Sequence, residues 1–261
     1  MKEFLIKRYP RSRQPLARKI LAWVTPYRHG ERTPWHQHEY GQLAFALRGV
    51  IRLLTPTRTW TLPPSRAIWL PSDIDHEQHA VGDSEVCNVY IEPDVFPWTW
   101  TKPAIVAPTS LIRDLAVTLS AGGSTYAPDS REALSGSLLL KMLADLRALP
   151  ESGVPLPRDE RLLKICEHMM NDPSSERTLD SWGAQLGATG RTLSTHFKAE
   201  TGLTFGMWQR QLRVAEAITR LATGHSVRKV SDELGYSTPS AFIAMFRKVT
   251  GESPQRYLES R

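Results

Sequence analysis

Leu179-Asp180-Ser181-Trp182-Gly183-Ala184-Gln185-Leu186-Gly187-Ala188-Thr189 is followed by Leu193, Phe197-Lys198, Thr201-Gly202 and Thr204-Phe205. The pattern returns as Val227-Arg228-Lys229-Val230-Ser231-Asp232-Glu233-Leu234-Gly235-Tyr236-Ser237, then Phe242, Phe246-Arg247, Thr250-Gly251 and Ser253-Pro254. The offset is 48 residues through the glycine and 49 from the phenylalanine, so the second unit holds one extra residue. Each unit reads as a helix-turn-helix. A short helix ends in Leu-Gly, where glycine takes the left-handed backbone that stops it. Thr189 or Ser237 then caps the next helix. That helix keeps Leu193 and Phe197, or Ala241, Met245 and Val249, on one face and ends at Gly202 or Gly251. Between the units Trp208, Leu212, Ala215, Ile218 and Leu221 recur at helical steps and predict one connecting helix over 205–221.

On these residues 158–261 resemble the DNA-binding domain of AraC-type bacterial transcription regulators. The matching pieces are Leu186-Gly187, Arg191-Thr192-Leu193, Phe197-Lys198, Thr201-Gly202 and Leu234-Gly235-Tyr236-Ser237-Thr238-Pro239-Ser240-Ala241-Phe242. Phe246-Arg247-Lys248-Val249-Thr250-Gly251-Glu252-Ser253-Pro254-Gln255-Arg256-Tyr257 is the most specific. The resemblance implies seven helices, with the second helix of each unit in the major groove of operator DNA. It places Arg191, Thr192, Ser194, Thr195 and Lys198 outward on a first reading helix over 190–200. Ser240, Ile243, Ala244 and Arg247 face outward on a second over 239–249. Where the family often has arginine, this chain has the shorter Thr195 and Ala244. Arg191 is then the best guanine reader, because arginine makes the bidentate contact, while Lys198, Arg247 and Lys248 act through phosphates.

The other end of the chain has a different grammar. From Leu21 to Pro93, strand-like pieces (Leu43–Leu47, Ile51–Leu54, Trp60–Leu62, Ala67–Leu70 and Val86–Ile91) alternate with Gly and Pro turn signals. Within this region His36, His38 and Gln42 lie between Gly30 and Gly49, and His76 follows Pro71 and Asp73. Residues two apart on a strand share a face, so His36 and His38 point one way and His76 can join them from a neighbouring strand. The spacing resembles the two motifs of the cupin barrel, with Gln42 where the family has glutamate and Asp73 where it has glycine. Two occupants of the His36, His38, Gln42 and His76 cluster are weighed, and the pocket without a tightly bound metal is preferred, because an amide replaces the carboxylate at Gln42. One is a small-molecule effector in a polar pocket. The other is a transition metal (Zn, Fe, Mn or Ni), which three imidazoles and an oxygen donor suit, though an amide is a weaker ligand than a carboxylate. His79 reads as a rim residue; Trp35, Tyr40 and Trp69 read as core or pocket wall.

The expected fold class is α+β: a cupin-like β-barrel followed by an all-α domain with two helix-turn-helix units. The barrel occupies residues 1–110, a helical dimerisation and linker segment 111–157, and the DNA-binding domain 158–261. The leucine stripe of Leu134, Leu138, Leu139, Leu143, Leu146 and Leu149 is assigned in part to a homodimer contact, and Glu151 to Pro157 to a solvated linker. The 261 residues are 41% hydrophobic and 23% charged, ordinary globular usage that excludes wholesale disorder. No apolar run approaches the ~18 residues of a membrane span, and Phe4-Leu5-Ile6 is too short for a secretory signal. Cys87 and Cys166 form no disulfide framework and read as buried thiols, which together predict a cytoplasmic protein. Residues 188–250 carry nine Lys/Arg against four Asp/Glu, an excess that suits nucleic acid. The basic arm from Lys2 to Arg32, with nine Lys/Arg against two Glu, reads as a disordered tail or a DNA contact. The leading function is an effector-controlled transcription regulator, meeting RNA polymerase if it activates. The alternative is a metal-dependent cupin enzyme, an oxygenase or isomerase, with a helical appendage. A non-catalytic scaffold for protein partners is the third reading.

Overall fold

The computed structural model describes residues 11–12, 16–149 and 153–259. The described chain groups into two compact units. One takes its residues up to Thr55 and from Leu62 to Leu149; the other takes Pro56–Thr61 and the residues from 153 to Tyr257.

The first unit is a β-rich sheet domain. Its strands are β1 (Arg11–Ser12), β2 (Ile20–Tyr27), β3 (Arg32–His38), β4 (Gly41–Thr55), β6 (Ala67–Leu70), β7 (His76–Ile91) and β8 (Ala104–Val106); β5 (Arg58–Leu62), between β4 and β6 in the chain, falls in the other unit up to Thr61. β7 organises them. It pairs antiparallel with β4 along its length, with β2 through its C-terminal half and with β3 through its N-terminal half. β6 lies between β4 and β8. Leu43, Phe45, Trp69, Val89 and Ile91 point inward from these strands and are fully buried, the half-buried alternation that a packed sheet demands.

Two departures from the sequence reading have a clear physical source. The expected strands at 43–47 and 51–54 are one strand, β4, bent at Gly49. Gly49 has φ +77°, and a Cβ there would press into Ser84 and the carbonyl of Asp83, so only glycine lets the strand bend without ending. The ladder shifts register on both sides of Arg48. Likewise, β7 begins at His76 rather than Val86. Its first ten residues are mostly polar and hid the strand, yet His76, Glu77, Gln78 and Ala80 are buried within it.

Helices α1 (Ser110–Ser120) and α2 (Arg131–Ala144) belong to the same unit, capped by Thr109 and Ser130. Ile112, Ala116, Leu119, Leu139 and Leu143 join the core formed by Ile20, Leu21, Trp69 and Ile91. The leucine stripe therefore divides. Leu139 and Leu143 fill their own domain, while Leu134 and Leu138 are 66% and 46% exposed. The expected linker is corrected too: 153–157 is buried, and β9 (Val154–Pro155) pairs antiparallel with Arg58 and Thr59. The basic arm is corrected over its described part. Arg18 donates to the carbonyl of Tyr126, Lys19 pairs with Asp94 at 2.5 Å, and residues 20–27 form β2. Lys2 to Pro10 lies outside the described residues.

The second unit carries seven helices among the described residues: α3 (Glu160–Asn171), α4 (Leu179–Leu186), α5 (Gly190–Thr201), α6 (Phe205–Ala222), α7 (Val227–Glu233), α8 (Pro239–Thr250) and α9 (Pro254–Leu258). Leu162, Ile165, Leu193, Phe197, Trp208, Leu212, Phe242 and Phe246 form the interior. The indole of Trp208 donates to the carbonyl of Pro155 at 2.7 Å and ties α6 to β9. Both cysteines are buried and free.

Candidate functional site

The two reading helices are set by their turns. In the first unit, Gly187 takes φ +65° and stops α4. Thr189 then caps α5 by accepting from the amide of Thr192. In the second, Gly235 has φ +78° but the cap is Thr238, which accepts from the amide of Ala241. The expected cap, Ser237, sits one residue too early, because the extra residue of the second unit lies in this turn. Proline at position 239 then opens α8, a place that needs no amide donor.

α5 exposes Arg191, Thr192, Ser194, Thr195 and Lys198, all five expected positions, and also His196. α8 exposes Ser240, Ala244, Arg247 and Lys248. Two of its positions move. Ile243, expected outward, is half-buried, and Ala241, expected inward, is exposed. Phe242 and Phe246 define the buried face, so 240, 241, 244, 247 and 248 form one outward stripe. The sequence reading went wrong by choosing Ala241, Met245 and Val249 as the apolar row; the larger aromatic rings decide the face.

The histidine cluster lies at a bulge. Arg32 and Thr33 pair with His79 and Gln78, after which β3 slips register so that His36 faces His76. The slip changes side-chain parity between Thr33 and His36 and brings both toward one cavity. This cavity, of about 200 Å³, is lined by Trp23, Thr25, Tyr27, Thr33, His36, Gln42, His76, Gln78, Asn88 and Tyr90. His38 stacks on Tyr40 with ring centres 4.2 Å apart and meets His76 at 5.2 Å. One ligand atom from each of His36, His38 and His76 lies within 4.8 Å of the others.

All three imidazoles are oriented by the backbone. Nδ1 of His36 is 2.7 Å from the carbonyl of Pro34, that of His38 is 2.6 Å from Tyr40, and that of His76 is 2.8 Å from Ile74. A carbonyl oxygen only accepts, so each Nδ1 carries the hydrogen and each Nε2 offers a lone pair. Burial lowers the pKa of His38, and burial with the neighbouring histidines lowers that of His76 to about 3. Both rings are neutral near pH 7. Gln42 Oε1 lies 3.0 Å from Nε2 of His38 and 3.1 Å from Nε2 of His76, and its amide nitrogen donates to Asn88 at 2.8 Å. His36, His38 and His76, with the Gln42 oxygen beside them, are the described residues that could hold a metal ion. His79 lies at the edge, with Nε2 2.9 Å from Glu77. Trp69 is fully buried core, and Trp35 is buried as well.

Sequence reasoning missed Gln78, Asn88, Tyr90, Trp23, Thr25, Tyr27 and Thr33. The signal was present in the alternation 76, 78, 88, 90 along β7 and 23, 25, 27 along β2, once those strands are recognised. Gln78 adds an unpartnered buried oxygen, Oε1, to this wall.

Comparison with known proteins agrees with this division of labour. Residues 24–165 match the model of the AraC-like ligand binding domain, and residues 182–260 match a helix-turn-helix domain model. The chain is 31% identical over 229 residues to the HTH-type transcriptional regulator NimR of Escherichia coli, covering 87% of this chain and 82% of that protein. The chain belongs to the AraC family of transcriptional regulators. The HTH-type transcriptional activator RhaR of Shigella flexneri is 22% identical over 245 residues, covering 85% and 86% of the two chains. Among solved structures, ToxT of Vibrio cholerae bound to an unsaturated fatty acid shares 12% identity, with a TM-score of 0.38 over 95% of this chain and 97% of that one. This AraC-family chain is a DNA-binding regulator with a ligand-binding domain, and its relatives give no support to the enzyme alternative. No helix among the described residues is long and apolar enough to cross a membrane.

Proposed function

We propose that this regulator senses its effector in the cavity of His36, His38, Gln42 and His76 and reads operator DNA with α5 and α8. The observation that carries the sensing half is the convergence of the backbone-oriented imidazoles of His36, His38 and His76, whose ligand atoms lie within 4.8 Å of one another, beside a cavity that His36, Gln42 and His76 line. Two occupants suit it. A small effector bearing hydrogen-bond donors finds acceptors on His36, His76 and Gln78. A divalent transition metal finds three imidazoles and the Gln42 oxygen, a donor set that fits such an ion; when bound, it would supply a positive centre for an effector's oxygen or nitrogen. The convergence of the three nitrogens favours the metal over the metal-free pocket.

For DNA, Arg191 reads a base edge and Lys198, Arg247 and Lys248 hold phosphates. The exposed Leu134 and Leu138 on α2 form a homodimer contact, which Leu134→Arg with Leu138→Arg should reduce to monomer in sedimentation equilibrium of the full chain. A dimer unchanged by both substitutions would remove that assignment. The regulator works in the cytoplasm, and contact with RNA polymerase follows if it activates.

The test of the sensing half is a gel shift on the protein's own promoter across candidate effectors, with and without added Zn²⁺. The double variant His36→Ala, His38→Ala should bind operator normally and lose the effector response. A full response from that variant would contradict the cavity assignment.

A further inference from the structure

The hydrogen-bond count around Gln42 does not close. Its Oε1, which only accepts, faces the Nε2 lone pairs of His38 and His76 at 3.0 and 3.1 Å, and no hydrogen lies between them. The Nδ1 hydrogens are committed to Tyr40 and Ile74, so tautomer exchange cannot supply one without breaking those bonds. Three buried acceptors crowded together in this way are costly.

Two resolutions lie close to these positions. In the first, a cation sits among the lone pairs. Tetrahedral ligand atoms ~2.1 Å from an ion lie ~3.4 Å apart, so Gln42 Oε1 at 3.0 and 3.1 Å from the two nitrogens, and histidine ligand atoms within 4.8 Å of one another, need small side-chain shifts to close around it. In the second, both amides turn over. The Gln42 nitrogen then gives one hydrogen to each imidazole, and its oxygen accepts from the Asn88 amide nitrogen in place of the present 2.8 Å bond. Either arrangement gives Nε2 of His38 and of His76 a partner.

We propose that Gln42 and Asn88 form a two-position amide switch for a divalent transition metal, oxygen inward when the ion is bound and nitrogen inward when it is absent. This rests on the metal reading of the cavity. A glutamate at position 42 lacks the two hydrogens, so without an ion it would face both lone pairs as a bare carboxylate or take up a proton. The amide satisfies the empty site and leaves the ion's charge uncompensated when it is full. Both effects make occupancy reversible, as a sensor requires and a permanent cofactor site does not. Asn88 lies on β7 between Trp23 of β2 and Ala44 of β4, so the switch is seated in the middle of the paired strands.

The direct test is nitrogen NMR on the uniformly ¹⁵N-labelled full chain, with diamagnetic Zn²⁺ as the probe. Without metal, the Gln42 amide should show through-hydrogen-bond couplings to Nε2 of both His38 and His76; with Zn²⁺ those couplings should vanish. Asn88→Asp supplies a partner that only accepts, holding Gln42 oxygen-inward, and should raise Zn²⁺ affinity about tenfold or more. Gln42→Glu should tighten it further. Zn²⁺ binding with no change in the amide couplings, and no gain from Asn88→Asp, would overturn the switch and leave the metal site standing. Failure of both the wild-type chain and Gln42→Glu to bind Zn²⁺ would overturn the metal reading and the switch with it.

Discussion

The two helix-turn-helix units share one plan and differ in two places, the turn and the reading face. In the first unit the turn is short, and a Cβ on Gly183 would press into the carbonyl of Ala188. The second unit has one more residue between its glycine and its cap, and Ser231 stands in the place of Gly183. Ser231 is fully buried, with its Oγ unpartnered among the described residues. On the reading face, Arg191, Thr192 and Thr195 of α5 correspond at the 49-residue offset to Ser240, Ala241 and Ala244 of α8. The cationic ends are kept, Lys198 against Arg247. Packing holds the plan constant while the face is free to vary. α5 presents the longer hydrogen-bonding side chains. α8 presents serine and alanines, small groups whose methyls match a thymine methyl in size and would let the backbone come close to DNA.

The largest expected effect falls on α5. Arg191→Ala should weaken the specific site by ~1–3 kcal/mol and relax preference at one base pair, with little change on random DNA. Equal loss on both kinds of DNA would show a phosphate contact instead.

Next comes the turn. Gly183→Ala should destabilise the chain by ~1–3 kcal/mol in denaturant unfolding, because the crowded carbonyl cannot yield cheaply. Ser231→Ala, which removes an unsatisfied buried hydroxyl, should be neutral or stabilising. The reverse order would mean that the two turns are not distinguished by space.

Lys198→Ala should weaken specific and random DNA alike and lower the slope of log affinity against log salt by about 1. The smallest effect belongs to α8. Replacing thymine by uracil in its half of the operator removes only methyl groups and should cost ~0.8 kcal/mol, about fourfold, per buried methyl. The same replacement under α5 should matter less. An equal response in both halves would erase the contrast.

Legibility followed how local the signal is. The two helix-turn-helix units, their left-handed glycines and the first cap rest on residues within one or two turns, and Leu186-Gly187 and Leu234-Gly235 announced them; the full set of seven helices came from the family resemblance. Thr238 was missed because Ser237 has the same capping chemistry, and only the turn's length chooses between them. The α8 face turned on whether Phe242 or Ala241 points inward, a question of volume rather than period. In the sheet domain, Ala67–Leu70 could be read directly, since all four residues are buried. His76 to Glu85 could not, because a polar strand inside a cavity wall looks like a loop. His36, Gln42 and His76 of the cavity, and His38 beside it, were legible from spacing. Their Nδ1 anchors were not, since carbonyl partners leave no mark on side-chain identity, and the bulge at Pro34 and Trp35 breaks the alternation that would have linked Thr33 to them.

The most direct test of unequal reading by two matched helices is selection of binding sites from random duplex DNA by the full chain, wild-type and Arg191→Ala. Two blocks about one helical turn apart should emerge. One should be strongly determined and contain a guanine whose preference disappears in Arg191→Ala; the other should be weaker, rich in thymine and unchanged. A single block, or two equally determined blocks that both survive Arg191→Ala, would contradict the account.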